Sequence, residues 1–302
     1  MNTPAPHQRW LDPGVLMQLG NIELVARAAV EGLTVGLHRS PRFGFSQEFA
    51  EYRPYAEGDD PRFIDWNVYA RTERNYVKRF LGETNTRLMI VLDASASMDF
   101  GEAGQNKLRY ARFLAASLAY LASRQHDAIG LVAFDQQVRE FVPPSSRPGR
   151  LNALLHAIDR VEAAGGTDFV PPFERFQQAT GHRGLVAVIS DFLCDVDTLV
   201  EAVMPMALQG HDVFLLQLLH PEELNPTIPR QGTSALRDME DQHTMEVSSR
   251  FLKHEYPQRL QAHIDHLRSA AAAARCDHLM MTTDQRLDVP LRRYLRFRQR
   301  RG

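Results

Sequence analysis

Cysteine is scarce in this 302-residue chain, which contains only Cys194 and Cys276. Two cysteines in a chain of this length argue against a disulfide framework and indicate a reducing compartment. No apolar run approaches the ~20 residues that cross a bilayer, and the first residues lack the apolar stretch of a signal peptide. We therefore expect a cytoplasmic protein with no membrane partner.

The chain also lacks a strong net charge and the common nucleotide and hydrolase motifs. Its formal net charge of −2 gives no global basic field, so nucleic acid is an unlikely partner class. It contains neither a glycine-rich phosphate loop ending in Gly-Lys-Ser or Gly-Lys-Thr nor a Gly-x-Ser-x-Gly elbow. These absences argue against an ATPase or a serine hydrolase.

One short apolar run, residues 88–92, leads to a carboxylate and two hydroxyls at alternate positions: Asp93, Ser95 and Ser97. Such a run is typical of a buried parallel strand. Alternate residues of an extended strand lie roughly 6.6 Å apart, so the chain has to curl after Asp93 if these oxygens share one ion. An oxygen-only, weakly charged set suits Mg²⁺ better than a soft metal.

Two later segments complete this set. A glycine turn leads to Thr167, and a second buried-strand run, residues 185–189, leads to Asp191. Ligands of open α/β sheets bind outside the carboxyl ends of the strands. We predict one site for Mg²⁺, or for another divalent cation such as Mn²⁺ or Ca²⁺, with these metal ligands: Asp93, Ser95, Ser97, Thr167 and Asp191. Asp168 is a candidate for supporting the ligands without contacting the ion itself. Its alternative role is to hold the loop by hydrogen bonds.

The order of strand and helix patterns predicts the fold class. Strands alternate with helices from about residue 81 to 220, which predicts an α/β, doubly wound, mostly parallel sheet with right-handed crossovers. Residues 1–80 are predicted to form an N-terminal α+β extension, a helix with a small β subdomain. Residues 81–302 are predicted to form the α/β domain, with a loop and hairpin insertion at about 220–248.

The D-x-S-x-S pattern of residues 93–97, followed by Thr167 and Asp191, resembles the metal-ion-dependent adhesion site of von Willebrand factor A-type domains. The resemblance implies a von Willebrand factor A-like, Rossmannoid core. It also implies a bound ion with an open position that accepts a Glu or Asp of a partner. Capping of the following helices by the same side chains is the alternative interpretation.

A second resemblance spans nearly the whole chain. Residues 38–55 (HRSPRFGFSQEFAEYRPY) and 58–66 (GDDPRFIDW) look like the signature of the bacterial domain of unknown function 58 family. Members of that family carry a von Willebrand factor A-like core and are thought to act with MoxR-type AAA ATPases. The resemblance therefore implies such an ATPase as the partner.

Together these observations predict a metal-dependent protein–protein interaction module rather than an enzyme. It would act as an adaptor in remodelling or maturation of a protein complex, with a client protein that offers an acidic residue. Charged side chains of the first region are partner-binding candidates, with an internal ion-pair network as their alternative role: Arg53, Asp59, Asp60, Arg62 and Asp65.

Two other functions stay open at this point. Mg²⁺ at strand ends also serves phosphatases and hydrolases, although the second acid of an aspartate-nucleophile phosphatase is replaced here by Ser95. The arginine-rich segment from residue 292 onward could bind nucleic acid. The two histidines at 263 and 266 are expected to lie exposed on a helix.

Overall fold

The structure, a computed structural model, describes residues 21–37, 49–55, 66–72, 74–80, 87–102, 106–179, 183–226, 233–240 and 243–301. The strands of this part of the chain are β1 Phe49–Pro54, β2 Tyr76–Phe80, β3 Arg87–Asp93, β4 Ala128–Phe134, β5 Val138–Ser145, β6 Leu185–Ser190, β7 Asp212–Leu219, β8 Thr233–Arg237, β9 Thr244–Ser248 and β10 Asp277–Thr282.

The helices of the same residues follow the predicted alternation with strands. They are α1 Ile22–Leu37, α2 Trp66–Thr72, α3 Lys107–Arg124, α4 Arg150–Asp159, α5 Val170–Ala179, α6 Val196–Leu208, α7 Pro221–Leu224, α8 Tyr256–Ala273 and α9 Asp288–Arg301. A 3₁₀ turn at Ala96–Asp99 follows β3, and a π-helical turn at Phe251–Glu255 precedes α8. Every described helix is too short or too polar to cross a bilayer.

The chain divides into two compact units, Thr34–Asn85 and the remainder. In the smaller unit, β1 and β2 pair antiparallel. Residues 22–33, the first part of α1, belong to the larger unit. The sequence analysis placed them with residues 1–80. The apolar stripe of this helix, which includes Val25 and Ala29, is fully buried.

Six strands form the central sheet, in the order β10-β7-β6-β3-β4-β5. Neighbouring strands are parallel except β4 and β5, which pair antiparallel at one edge. The predicted doubly wound, mostly parallel α/β fold is therefore confirmed. The chain runs from β3 outward to β4 and β5 and then crosses to β6 on the other side of β3. This reversal is a topological switch point, where such sheets bind their ligands.

The central strands are apolar along almost their whole length, because helices cover both faces of a parallel sheet. Strands β3, β4 and β6 are buried at nearly every position. Asn106 caps the N-terminus of α3, where its side chain accepts a hydrogen bond from the Arg109 backbone N–H at 2.9 Å. The sheet thus gives a rigid platform, and the polar residues that follow its strands lie at one edge.

Gly130 in β4 lies where the backbone of β5 comes closest. The register of β4 and β5 shifts at this point, and a Cβ on Gly130 would lie 2.9 Å from both the Pro144 nitrogen and the Val142 oxygen. We expect Gly130→Ala to lower the free energy of unfolding by about 1–3 kcal/mol through overpacking. Urea denaturation checks this, and an unchanged midpoint would show that β5 moves away without cost.

Candidate metal centre

Asp93 ends β3 at the switch point, and its side chain is fully buried. Its Oδ1 accepts a hydrogen bond from the Ser95 backbone N–H at 2.8 Å. Its Oδ2 accepts one from the Ser190 hydroxyl at 2.6 Å. The pairing of Leu92 with Ile189 brings Ser190 to this carboxylate, because β3 and β6 are neighbours in the sheet.

Burial raises the pKa of Asp93 to about 7, and the nearby Asp191 carboxylate raises it as well. The hydrogen bonds from Ser190 and Ser95 act in the opposite direction and offset only part of this effect. A buried carboxylate with a raised pKa lacks compensating positive charge. The surroundings of Asp93 therefore favour a bound cation or a proton.

The chain curls after Asp93, as the spacing of the oxygens requires. The 3₁₀ turn begins directly after Ser95, and Met98 anchors it in the core. The Ser97 hydroxyl donates to Asp191 Oδ2 at 2.8 Å, and the Ser95 and Ser97 hydroxyl oxygens lie 3.1 Å apart. Four of the five predicted ligands thus form one connected network.

Lys107, which the sequence analysis did not select, also lies in this network. Its ammonium group is 2.7 Å from Asp191 Oδ2 and 2.6 Å from Glu223 Oε1, and its side chain is 0% exposed. Burial alone would lower the pKa of Lys107, but the two carboxylates outweigh it and the pKa is raised. Burial raises the pKa of Glu223, and the Lys107 charge counteracts that rise. The lysine stays charged and holds Asp191 in place.

Thr167 lies on a loop that backbone hydrogen bonds connect to the segment after β3. The Ala96 N–H donates to the Gly165 oxygen and the Ala164 N–H donates to the Ala94 oxygen, each at 2.9 Å. The Thr167 hydroxyl itself donates to Glu240 Oε1 at 2.8 Å. The loop is thus beside the network, while the threonine side chain contacts a carboxylate from the β8–β9 hairpin.

Asp168 holds its loop rather than facing the network. Its Oδ1 accepts from the Val170 N–H at 2.9 Å, at the start of α5, and its own N–H donates to the Asp135 oxygen at 3.1 Å. Of the partner-binding candidates, only the backbone of Arg53, in β1, is described. Outside the described residues lie Asp59, Asp60, Arg62 and Asp65.

The loop after β6 also contacts helix α8. Phe192 has a left-handed backbone with a φ of 53°, and its oxygen lies 2.7 Å from His263 Nε2 on α8. The expectation that His263 is exposed was therefore wrong, whereas His266 is exposed as expected. Packing of α8 on this loop explains the difference, since it supplies a carbonyl partner for one histidine only.

The donor chemistry of the network fits a hard divalent cation. The described residues contain no cluster of three or more His, Cys, Asp or Glu side chains with metal-binding geometry, so the site depends on hydroxyls and two carboxylates. Burial raises the pKa of the nearby Cys194 thiol to about 12, which keeps it neutral and unsuited to a soft metal. Oxygen-only donors with surplus negative charge are typical of Mg²⁺ and Ca²⁺ sites.

Comparisons with solved structures find neighbours of low sequence identity. BatB, a conserved hypothetical protein from Bacteroides thetaiotaomicron, is 17% identical with a TM-score of 0.46, covering 65% of this chain and 89% of its own. The VWA domain of SpRpn10 is 15% identical with a TM-score of 0.39, covering 68% of this chain and 92% of its own.

Sequence comparisons identify the family. An uncharacterized protein of Mycobacterium tuberculosis is 28% identical over 232 residues, covering 76% of this chain and 72% of its own. A homologue from Mycobacterium bovis shows the same values. The model of the family described as "protein of unknown function DUF58" matches residues 51–266, more than half of the chain. This chain therefore belongs to the DUF58 family.

Proposed function

We propose that this chain is a metal-dependent protein–protein interaction module, an adaptor for a MoxR-type AAA ATPase in remodelling or maturation of another protein complex. One observation carries the proposal. Asp93 and Asp191 converge with the Ser95 and Ser97 hydroxyls at the switch point, and burial raises the pKa of Asp93 to about 7. The ion is Mg²⁺, or Mn²⁺ or Ca²⁺ with similar oxygen chemistry.

The hydroxyl-rich donor set favours an interaction role. Ser95, Ser97 and Thr167 are neutral donors, so only Asp93 and Asp191 can offset the charge of the ion, and Asp191 already shares its negative charge with Lys107. Such an ion attracts an Asp or Glu side chain of a client protein. The contact forms only where the two surfaces fit, which gives specificity.

The same residues offer little to a metal-dependent phosphatase. The second acid of an aspartate-nucleophile site is replaced by Ser95. Both oxygens of Asp93 already accept hydrogen bonds, one from the Ser95 N–H and one from the Ser190 hydroxyl. A carboxylate held in this way is better suited to fixing an ion than to attacking a phosphate.

The choice of ATPase follows from family membership and from the joint action that the family resemblance implies. Cys194 and Cys276 are not joined in a disulfide, which supports a cytoplasmic location, where ATP for such a partner is present. The ATPase supplies the energy, and this chain selects the client.

The proposal is tested by capture of a purified MoxR-type ATPase, with and without a client protein, on the immobilised full-length chain. We expect capture in Mg²⁺ to fall about tenfold or more in EDTA, and to fall equally in Ser95→Ala, because loss of an ion-holding group costs 10–100-fold in affinity. Ser117→Ala is the matched control, since Ser117 is also buried but bonds only within α3, to the Phe113 oxygen. Equal capture in Mg²⁺ and EDTA would contradict a metal-dependent interaction.

A further inference from the structure

Glu240, in the turn of the β8–β9 hairpin, contacts the predicted metal ligand Thr167 with both carboxylate oxygens. Oε1 accepts from the Thr167 hydroxyl at 2.8 Å, and Oε2 accepts from the Thr167 backbone N–H at 3.1 Å. Hydrogen bonds to a carboxylate are stronger than bonds between neutral groups. A carboxylate of this chain therefore already lies where an acidic side chain of a client would approach.

The hairpin turn is built to hold this glutamate in position. The Glu240 N–H donates to Asp238 Oδ1 at 2.7 Å, and the Asp238 N–H donates to the His243 oxygen at 2.8 Å. The pairing of Arg237 with Thr244 continues this ladder into the two strands. These bonds fix the position of Glu240 just beyond the end of β8.

The loop that carries Thr167 leaves room for the carboxylate because residue 166 is glycine. A Cβ on Gly166 would lie 3.2 Å from Glu240 Oε2 and 2.9 Å from Gln136 Nε2. Both distances are shorter than ordinary contacts, so a larger residue would push these side chains aside. Gly166 therefore allows the Glu240 carboxylate to reach the Thr167 backbone.

The hairpin meets the metal-site loops around a cavity. Its volume is about 330 Å³, and it is lined by Ala96, Asp99, Ala163, Arg237, Asp238 and Met239. Val247 of β9 is buried, which anchors the base of the hairpin. A two-stranded hairpin is only marginally stable by itself, so the turn can lift while the base stays in place.

We infer that Glu240 is a built-in occupant of the carboxylate position at the metal centre, and that the β8–β9 hairpin is a displaceable cover. An acidic side chain of a client binds by replacing Glu240. This inference rests on the proposed metal-dependent function and adds its regulation. It predicts that the closed hairpin lowers the affinity of the site for any external carboxylate, because only the open fraction can bind.

The test compares the full-length wild-type chain with Glu240→Ala and with the matched control Glu246→Ala, which removes an exposed acid from the same hairpin. In EDTA, backbone amides of the hairpin turn should exchange with deuterium about tenfold faster in Glu240→Ala, because charged hydrogen bonds of this strength are lost. In Glu246→Ala their exchange should stay at the wild-type rate.

The second measurement uses acetate as the carboxylate probe. With each protein loaded with Mn²⁺, broadening of the acetate methyl resonance should report about tenfold tighter acetate binding to Glu240→Ala than to the other two proteins. Mn²⁺ binding with equal acetate broadening, or unchanged deuterium exchange, would overturn the inference and leave the metal site standing. Electron paramagnetic resonance measures Mn²⁺ binding. If neither the wild type nor either variant binds Mn²⁺, the proposed function and the inference are overturned together.

Discussion

In the absence of metal, Asp93→Asn is expected to make the protein more stable at pH 8. Burial raises the pKa of Asp93 to about 7 from an ordinary value of 3.8. At pH 8 the folded protein therefore holds a poorly compensated buried charge, whereas asparagine has a similar shape and no charge. The gain in unfolding free energy should be on the order of a few kcal/mol.

The sign of the pH dependence follows from proton binding. Between about pH 4 and pH 7 the folded state holds a proton on Asp93 that the unfolded state has released. The contribution of Asp93 to the free energy of unfolding is therefore at its full value below pH 4, and it is lost as the pH rises toward 7. The advantage of Asp93→Asn should shrink accordingly between pH 8 and pH 5.

A second group acts in the opposite direction over much of the same range. Burial lowers the pKa of His278 to about 4, so the folded state binds fewer protons than the unfolded state between about pH 4 and pH 6.5. Its contribution is lost as the pH falls. Because His278 is present in both proteins, its contribution cancels in the difference in unfolding free energy between wild type and Asp93→Asn. The two proteins must therefore be compared at each pH.

Thermal unfolding in EDTA and in Mg²⁺ measures both effects of Asp93→Asn. Mg²⁺ should raise the midpoint of the wild type and leave that of the variant unchanged, because ligands stabilise only the state that binds them. The control is Asp135→Asn, which removes another buried carboxylate, one that is paired with Arg139 at 2.6 Å. It should be less stable than wild type and should keep its response to Mg²⁺. A loss of stability for metal-free Asp93→Asn at pH 8 would show that Asp93 is already well compensated.

Lys107→Met is expected to be the most destabilising single substitution at this site. It leaves the Asp191 and Glu223 carboxylates buried without their shared cation. Breaking a buried ion pair in this way costs about 3–5 kcal/mol. Burial raises the pKa of Glu223 and the Lys107 charge counteracts that rise, so removal of the lysine raises the pKa of Glu223 further and the loss should be larger at pH 8 than at pH 5.

Urea denaturation measures this loss against a matched substitution. Lys253→Met removes an exposed lysine and should change stability by no more than about 0.5 kcal/mol. Adding Glu223→Gln to Lys107→Met should recover part of the lost stability, because one orphaned charge is removed. If Lys107→Met behaves like Lys253→Met, the buried charges are not coupled as the distances imply.

The strands that carry the centre could be predicted from the sequence because each is a local apolar run with polar residues at its end. Residues 88–92 and 185–189 were predicted as buried strands, and they lie within β3 and β6. These features depend on neighbouring residues only, which is why pattern and propensity were sufficient.

The remaining contacts join distant parts of the chain and leave weaker local signals. Lys107 lies four residues before Ala111, which is buried on α3, and this helical spacing was the one hint that a charged side chain was buried. Glu240 is 73 residues from Thr167, and nothing near either residue indicates their contact. The strand order that places β6 beside β3 is likewise set by packing of the whole sheet.

The separation of these partners along the chain also determines when the centre can assemble. Ser97 and Lys107 meet Asp191 across 94 and 84 residues, and Lys107 meets Glu223 across 116. During synthesis, a chain that has emerged only as far as β5 holds Asp93 and both serines but no second carboxylate for the ion. At the proposed metal site, tight cation binding would thus be a late event in folding, and it would distinguish fully synthesised molecules from nascent or truncated ones.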